Sequence, residues 1–74
     1  MKYMDIIEMI NDKEEYKKDN VFKGMHGVIM SEWSILNEWQ VIFSDPKTGN
    51  DIADTSINEN DMKVIYSSKI KLDE

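Results

Sequence analysis

The chain has one imidazole, His26, no thiol and fifteen carboxylates among its 74 residues. That inventory narrows the available chemistry. A nucleophile–histidine–acid triad or a histidine-rich metal centre is not expected around His26, because there is no cysteine and no second histidine to join it. Flanked by Met25 and Gly27, His26 reads as a surface residue of a strand. Two carboxylates held close together can act as acid and base. With fifteen on so short a chain, chance proximity is ordinary, and solvated charge is the expectation. The segment Asp45-Pro46-Lys47-Thr48-Gly49-Asn50 has a faint likeness to a calcium loop. Lys47 and Gly49 stand where oxygen ligands belong and the glycine is displaced, so the likeness is rejected. Gly24 and Gly27 do not make a phosphate loop, since no Gly-Lys-Ser/Thr follows and the next element reads as a strand. No catalytic residue, metal or cofactor is expected, and the chain reads as a binding protein rather than an enzyme.

Two segments carry the signal for binding. The first is Ser31-Glu32-Trp33-Ser34-Ile35-Leu36-Asn37-Glu38, which joins two expected strands yet holds Trp33, Ile35 and Leu36. Hairpin tips are normally polar and rich in glycine or asparagine. Either the strands are longer and these residues fold back on the core, or they form an exposed apolar anchor rimmed by Glu32 and Glu38. Aromatic anchors ringed by polar groups are how small interfaces concentrate affinity. The second segment is the polar stretch with Glu14, Glu15, Tyr16, Asp19 and Phe22. It is either a solvated charge run with Tyr16 and Phe22 tucked beneath it or a second part of a binding surface. The candidate partner-binding residues are therefore Trp33, Ile35, Leu36, Glu32, Glu38, Tyr16, Glu15 and Phe22.

Charge points to the kind of partner. The formal net charge is −6, and all the cations are lysine. A negative chain repels the phosphate backbone whose contacts dominate nucleic-acid affinity. It attracts basic proteins. Without arginine, the bidentate contacts to phosphate and guanine are missing as well. Direct nucleic-acid binding is thus not expected. No apolar run has the length of a membrane span. Met1-Lys2-Tyr3-Met4-Asp5 opens no apolar stretch ahead of a small-residue cleavage site, so no secretory signal is expected. A small domain without disulfides fits the cytoplasm. Richness in Ile, Asn and Lys, which have AT-rich codons, suggests an AT-rich bacterial, phage or plasmid source.

These segments need elements to position them. A length of 74 residues allows one domain with a small core, and a 41% hydrophobic fraction is enough to form it. Tyr3 to Ile10 reads as a strand, with a helical spacing of Met4 and Ile7 as the competing pattern. Asn11 to Lys23 reads as a long loop with a helical turn near Asp12 to Lys17. Gly24 and Gly27 bracket a turn into the β-branched run that ends at Met30. Glu38 to Ser44 is the cleanest strand, because Trp39, Val41 and Phe43 alternate with Gln40, Ile42 and Ser44. Asp45-Pro46 starts a turn, and Gly49 supplies the left-handed residue that closes it. Asp51 to Ile57 returns as a strand. Asn58 caps a short helical turn, and Lys63 to Ser67 is the last strand. The expected core is Ile6, Val28, Met30, Val41, Phe43, Ile52, Ile57 and Val64. Residues 1–67 are expected to form the domain, and 68–74 a charged, frayed tail.

Five short strands with turn signals between them predict an all-β fold, a small barrel that hides its own sheet edges. The order of Asp5-Ile6-Ile7, the long polar loop, Lys23-Gly24-Met25-His26-Gly27-Val28-Ile29, then Trp39-Gln40-Val41-Ile42-Phe43, the Pro-Gly turn and Asp61-Met62-Lys63-Val64-Ile65 resembles the small bacterial SH3-like barrels, KOW-type domains among them. The resemblance covers residues 4 to 66. It implies a five-stranded barrel with a long loop after the first strand. A Gly-x-x-Gly-Val motif would lead into the second strand, and a short 3₁₀ turn would precede the last. Members of that family bind RNA, proteins, peptides or toxins, so the fold alone names no function. This chain departs from nucleic-acid-binding KOW domains in lacking a basic patch. Three functions stand open. One is an acidic inhibitor of a partner protein, of the immunity, antitoxin or phage-inhibitor kind, which blocks a basic nucleic-acid-acting surface. Another is an accessory KOW-like module of an RNA, ribosome or polymerase assembly. The third is a structural homo-oligomer subunit joined through the Trp33 loop.

Overall fold

A computed structural model describes residues 1–67; the expected tail at 68–74 lies outside the described residues. The chain forms strand β1 (Ile6–Met9), a one-turn helix α1 (Glu14–Lys17), strands β2 (His26–Ile29), β3 (Glu38–Ser44) and β4 (Asp51–Asn58), a 3₁₀ turn (Glu59–Asp61) and strand β5 (Met62–Tyr66). The strands make one antiparallel sheet in the order β4-β3-β2-β1-β5. The fold is all-β, with the long loop after the first strand and the 3₁₀ turn before the last.

The connection between the two edge strands bends the sheet. Five strands laid flat would set β4 and β5 roughly 19 Å apart. Only Glu59–Asp61 joins them, and a connection that short spans at most about 14 Å. The sheet therefore curls at that end. Among the described residues no ladder pairs β4 with β5.

The concave side holds the core of Ile7, Met9, Ile29, Trp39, Val41, Phe43, Ile57 and Met62, closed over by Tyr16 and Val21 from the long loop. Val41, Phe43 and Ile57 are buried as expected. The other five expected core residues are not. In β1 and β2 the phase is opposite to the expected one: Ile7 and Ile29 face inward, while Ile6 and Val28 are half-buried on the outer face and Met30 is exposed. Both faces of these strands are apolar, so alternation alone could not choose between them. The residue that decides is Glu8, on the face of Ile6, where its carboxylate lies 3.5 Å from His26. Ile52 faces outward by alternation, because Ile57, Thr55 and Ala53 share the inner face opposite Trp39, Val41 and Phe43; the bulge, with Ser44 paired to Asp51, also leaves Ile52 unopposed. Val64 lies on the edge strand, flanked only by β1, and is exposed.

The glycines divide the work differently from the expected pair of turn residues. Gly24, at φ +93, does occupy a turn. Gly27 lies inside β2 and is buried. A Cβ there would come within 2.7 Å of Val41 Cγ1 and 2.9 Å of the Phe43 ring, so glycine lets β3 pack its two central residues against the β2 backbone.

Candidate functional site

The β2–β3 connection is a hairpin with an apolar tip. Met30 N–H donates to the Gln40 carbonyl at 2.8 Å, and Gln40 N–H donates to Ser31 Oγ at 3.1 Å. At the tip, Ile35 and Glu38 exchange backbone hydrogen bonds of 3.0 and 2.9 Å. The two residues between them, Leu36 and Asn37, have φ of +52° and +65°. A two-residue loop with both residues left-handed is the type I′ geometry, which asparagine and glycine favour. Asn37 suits it; Leu36 does not. An L-residue with a branched side chain pays about 1–2 kcal/mol to stay there.

The hairpin displays its apolar side chains to solvent. Trp33 is 66% exposed, Ile35 68% and Leu36 89%, with Glu32 and Glu38 exposed on either side. Of the two readings open for this segment, folding back on the core is the one the structure excludes. A groove of about 310 Å³ is lined by Trp33, Ile35 and Leu36 of the hairpin together with Glu38, Gln40 and Ser56. Gln40 and Ser56 had no distinguishing sequence signal. They join the groove because β3 and β4 pair Gln40 with Ser56.

The 3₁₀ turn holds the hairpin at its tip turn and on the β3 side. Glu59 N–H donates to the Asn37 carbonyl at 2.9 Å, and the Trp39 indole N–H donates to Glu59 Oε1 at 3.2 Å. Trp39 is buried, so the two tryptophans have opposite fates six residues apart.

The long loop behaves otherwise. Tyr16, expected as a partner contact, is only 4% exposed and lies against the core. Its hydroxyl donates to Asp61 Oδ2 at 2.6 Å and accepts from Asn58 N–H at 3.2 Å. The buried Asp61 carboxylate also accepts from Asn11 Nδ2 at 2.9 Å and pairs with Lys13 Nζ at 2.8 Å. Burial pushes the Asp61 carboxyl up, but the hydrogen bonds from Lys13, Tyr16 and Asn11 outweigh it and hold the group below its ordinary value. Burial and the bond to Asp61 push the Tyr16 phenol up to about 12. Lys13 is raised by its own hydrogen bond to Asp61. This cluster staples the loop to the 3₁₀ turn. Glu15 and Phe22 remain on the surface. The structure therefore joins Trp33, Ile35, Leu36 and Glu38 in one groove, with Glu32 beside them in the chain, and withdraws Tyr16 from the surface.

The charge has a location too. Residues 24–62 hold seven carboxylates, Glu32, Glu38, Asp45, Asp51, Asp54, Glu59 and Asp61, against the single Lys47. In the rest of the chain eight lysines balance eight carboxylates, so by sequence the whole −6 falls on residues 24–62, although one of its carboxylates, Asp61, is buried and paired with Lys13 of the long loop. Among the described residues no three or more His, Asp or Glu side chains converge to hold a metal ion. No helix among them is long and apolar enough to cross a membrane.

Comparison of the chain with protein-family models, curated proteins and solved structures gives no match.

Proposed function

We propose that this chain is a non-enzymatic cytoplasmic binding module, an SH3-like barrel whose β2–β3 hairpin docks on a basic protein and inhibits it by occupying a surface that otherwise meets nucleic acid. The strand order β4-β3-β2-β1-β5 and the three-residue link between the edge strands support the barrel. One observation carries the binding site: Trp33, Ile35 and Leu36 stand exposed together on a hairpin that holds Leu36 in a left-handed conformation. Each such side chain forgoes roughly 1.5–3 kcal/mol of burial when it faces water. Backbone strain of the kind seen at Leu36 concentrates at functional sites. A partner that covers the tip recovers the burial. The concentration of −6 on residues 24–62 supports a basic partner, steered to the hairpin by charge.

The test places a photocrosslinking residue at position 36 and, as a control, at position 63 in the native host. A basic protein joined to position 36 and not to position 63, whose affinity for the purified chain drops at least tenfold with Trp33→Ala while the melting temperature holds, supports the reading. An identified partner that binds Trp33→Ala as tightly as the parent chain would remove the hairpin from the interface.

A further inference from the structure

Among the described residues strand β4 has no neighbouring strand on one side, although the long loop reaches it there, Asp19 Oδ2 accepting from Thr55 Oγ1 at 3.2 Å. Its register fixes which backbone groups face outward. The carbonyl and N–H of Gln40 are both engaged on the β2 side, with Met30 N–H and Ser31 Oγ. Gln40 thus turns away from β4, and its register partner Ser56 turns away from β3. Alternation puts Asp54, opposite Ile42, in the same state. Asn58 is next in the series, and Tyr16 Oη already accepts its N–H. The outward N–H and C=O groups of Asp54 and Ser56 remain, on two exposed residues.

An edge like this is a template for a further strand. Charge selects which one. Strand β4 carries Asp51 and Asp54 and no lysine, the cation that most often guards natural edges. A second copy of the edge would bring aspartate towards aspartate, and like charges directly opposite destabilise a strand pair. A strand bearing lysine or arginine would meet opposite charge instead. We propose that the β4 edge accepts a basic β-strand of a partner protein, which pairs with the backbone of Asp54 and Ser56 and sets its cationic side chains against Asp51 and Asp54. The inference shares with the proposed function the basic character of the partner and one residue, Ser56, whose side chain lines the hairpin groove and whose backbone lies on the edge; it does not require the Trp33 hairpin.

The probe is a synthetic ten-residue peptide alternating lysine with valine or threonine. Its controls are the same peptide N-methylated at every second amide along its pairing edge, the glutamate version, and a lysine–proline peptide of equal charge. Titration by calorimetry should show binding of the first peptide alone, with loss of at least tenfold on N-methylation. Hydrogen exchange on the unmodified protein should show new protection at Asp54 and Ser56. Ser56→Pro, which removes an outward N–H without touching the β3 ladder, should lose at least tenfold with an unchanged far-UV spectrum. Trp33→Ala should bind the peptide as the parent does, whereas failure of the hairpin reading would appear only in the crosslinking experiment above. Equal binding of the N-methylated or proline peptide overturns the proposal. So does protection confined to β5, self-association through β4, or a Kd weaker than about 1 mM for the lysine–valine peptide.

Discussion

Tyr16 and Asp61 are 45 residues apart in the chain and meet at 2.6 Å, hydroxyl to carboxylate, beneath the long loop. The bond joins the one helical turn to the 3₁₀ turn that precedes the last strand, and the same phenol takes up the outward N–H at the end of β4. Tyr16→Phe keeps the ring and leaves Asp61 and the Asn58 N–H each short of a partner. A loss of about 1–3 kcal/mol is expected in urea unfolding.

The same pair sets the pH response. The Tyr16 phenol is raised from 10.0 to about 12. A raised value means stability is fully present below pH 10 and is lost as pH rises through 12, by an amount on the order of 2 kcal/mol. Asp61 is depressed from 3.8, so its contribution is present above that pH and is lost as pH falls through the lower folded value. Urea midpoints measured from pH 2 to 12 should decline at both ends. Tyr16→Phe should flatten the alkaline limb, and Asp61→Asn the acid one.

Gly27→Ala tests the contact between β2 and β3. The added methyl has nowhere to go but into Val41 and Phe43. Overpacking of this kind should cost about 1–3 kcal/mol. An unchanged melting temperature would show that the two side chains have room to move.

The phase of β1 is tested by paired truncations. Ile7→Ala removes a fully buried side chain and should cost about 2–5 kcal/mol. Ile6→Ala, on the outer face, should cost clearly less. Equal losses would mean that the outer face is covered as well.

Leu36→Asn should uncouple stability from binding. Asparagine tolerates the left-handed region, so relief of strain should raise stability by about 1 kcal/mol in thermal melts. If the hairpin is the docking surface, the same variant should bind the crosslinked partner less tightly.

Much of this fold was legible in the residues. The residues mark the limits of strand β3, because Gln40 and Ser44 define its outer face against Trp39, Val41 and Phe43. Gly49 adopts φ +76 in the expected turn, and the Asn58 side chain caps the 3₁₀ turn by accepting from Asn60 N–H. Strands β1 and β2 mislead because Ile6-Ile7 and Val28-Ile29 are apolar on both faces, and only Glu8 and its register partner His26 tell the sides apart. The Asp61 cluster was invisible, since its partners Asn11, Lys13 and Tyr16 are brought to it by tertiary folding over 45 to 50 residues. The exposure of the Trp33 hairpin depended on the turn at Leu36-Asn37, whose left-handed geometry leucine does not signal.

The pairing of β1 with β5 also has a kinetic consequence. Strands β2, β3 and β4 are joined by short connections, whereas the Ile7–Val64 pair closes most of the chain. Loop closure becomes more expensive with length, so the meander has the entropic advantage as the folding nucleus and β5 docks late. Destabilising changes at Val41 should therefore slow folding, while those at Met62 should chiefly speed unfolding, a division that stopped-flow chevrons would display.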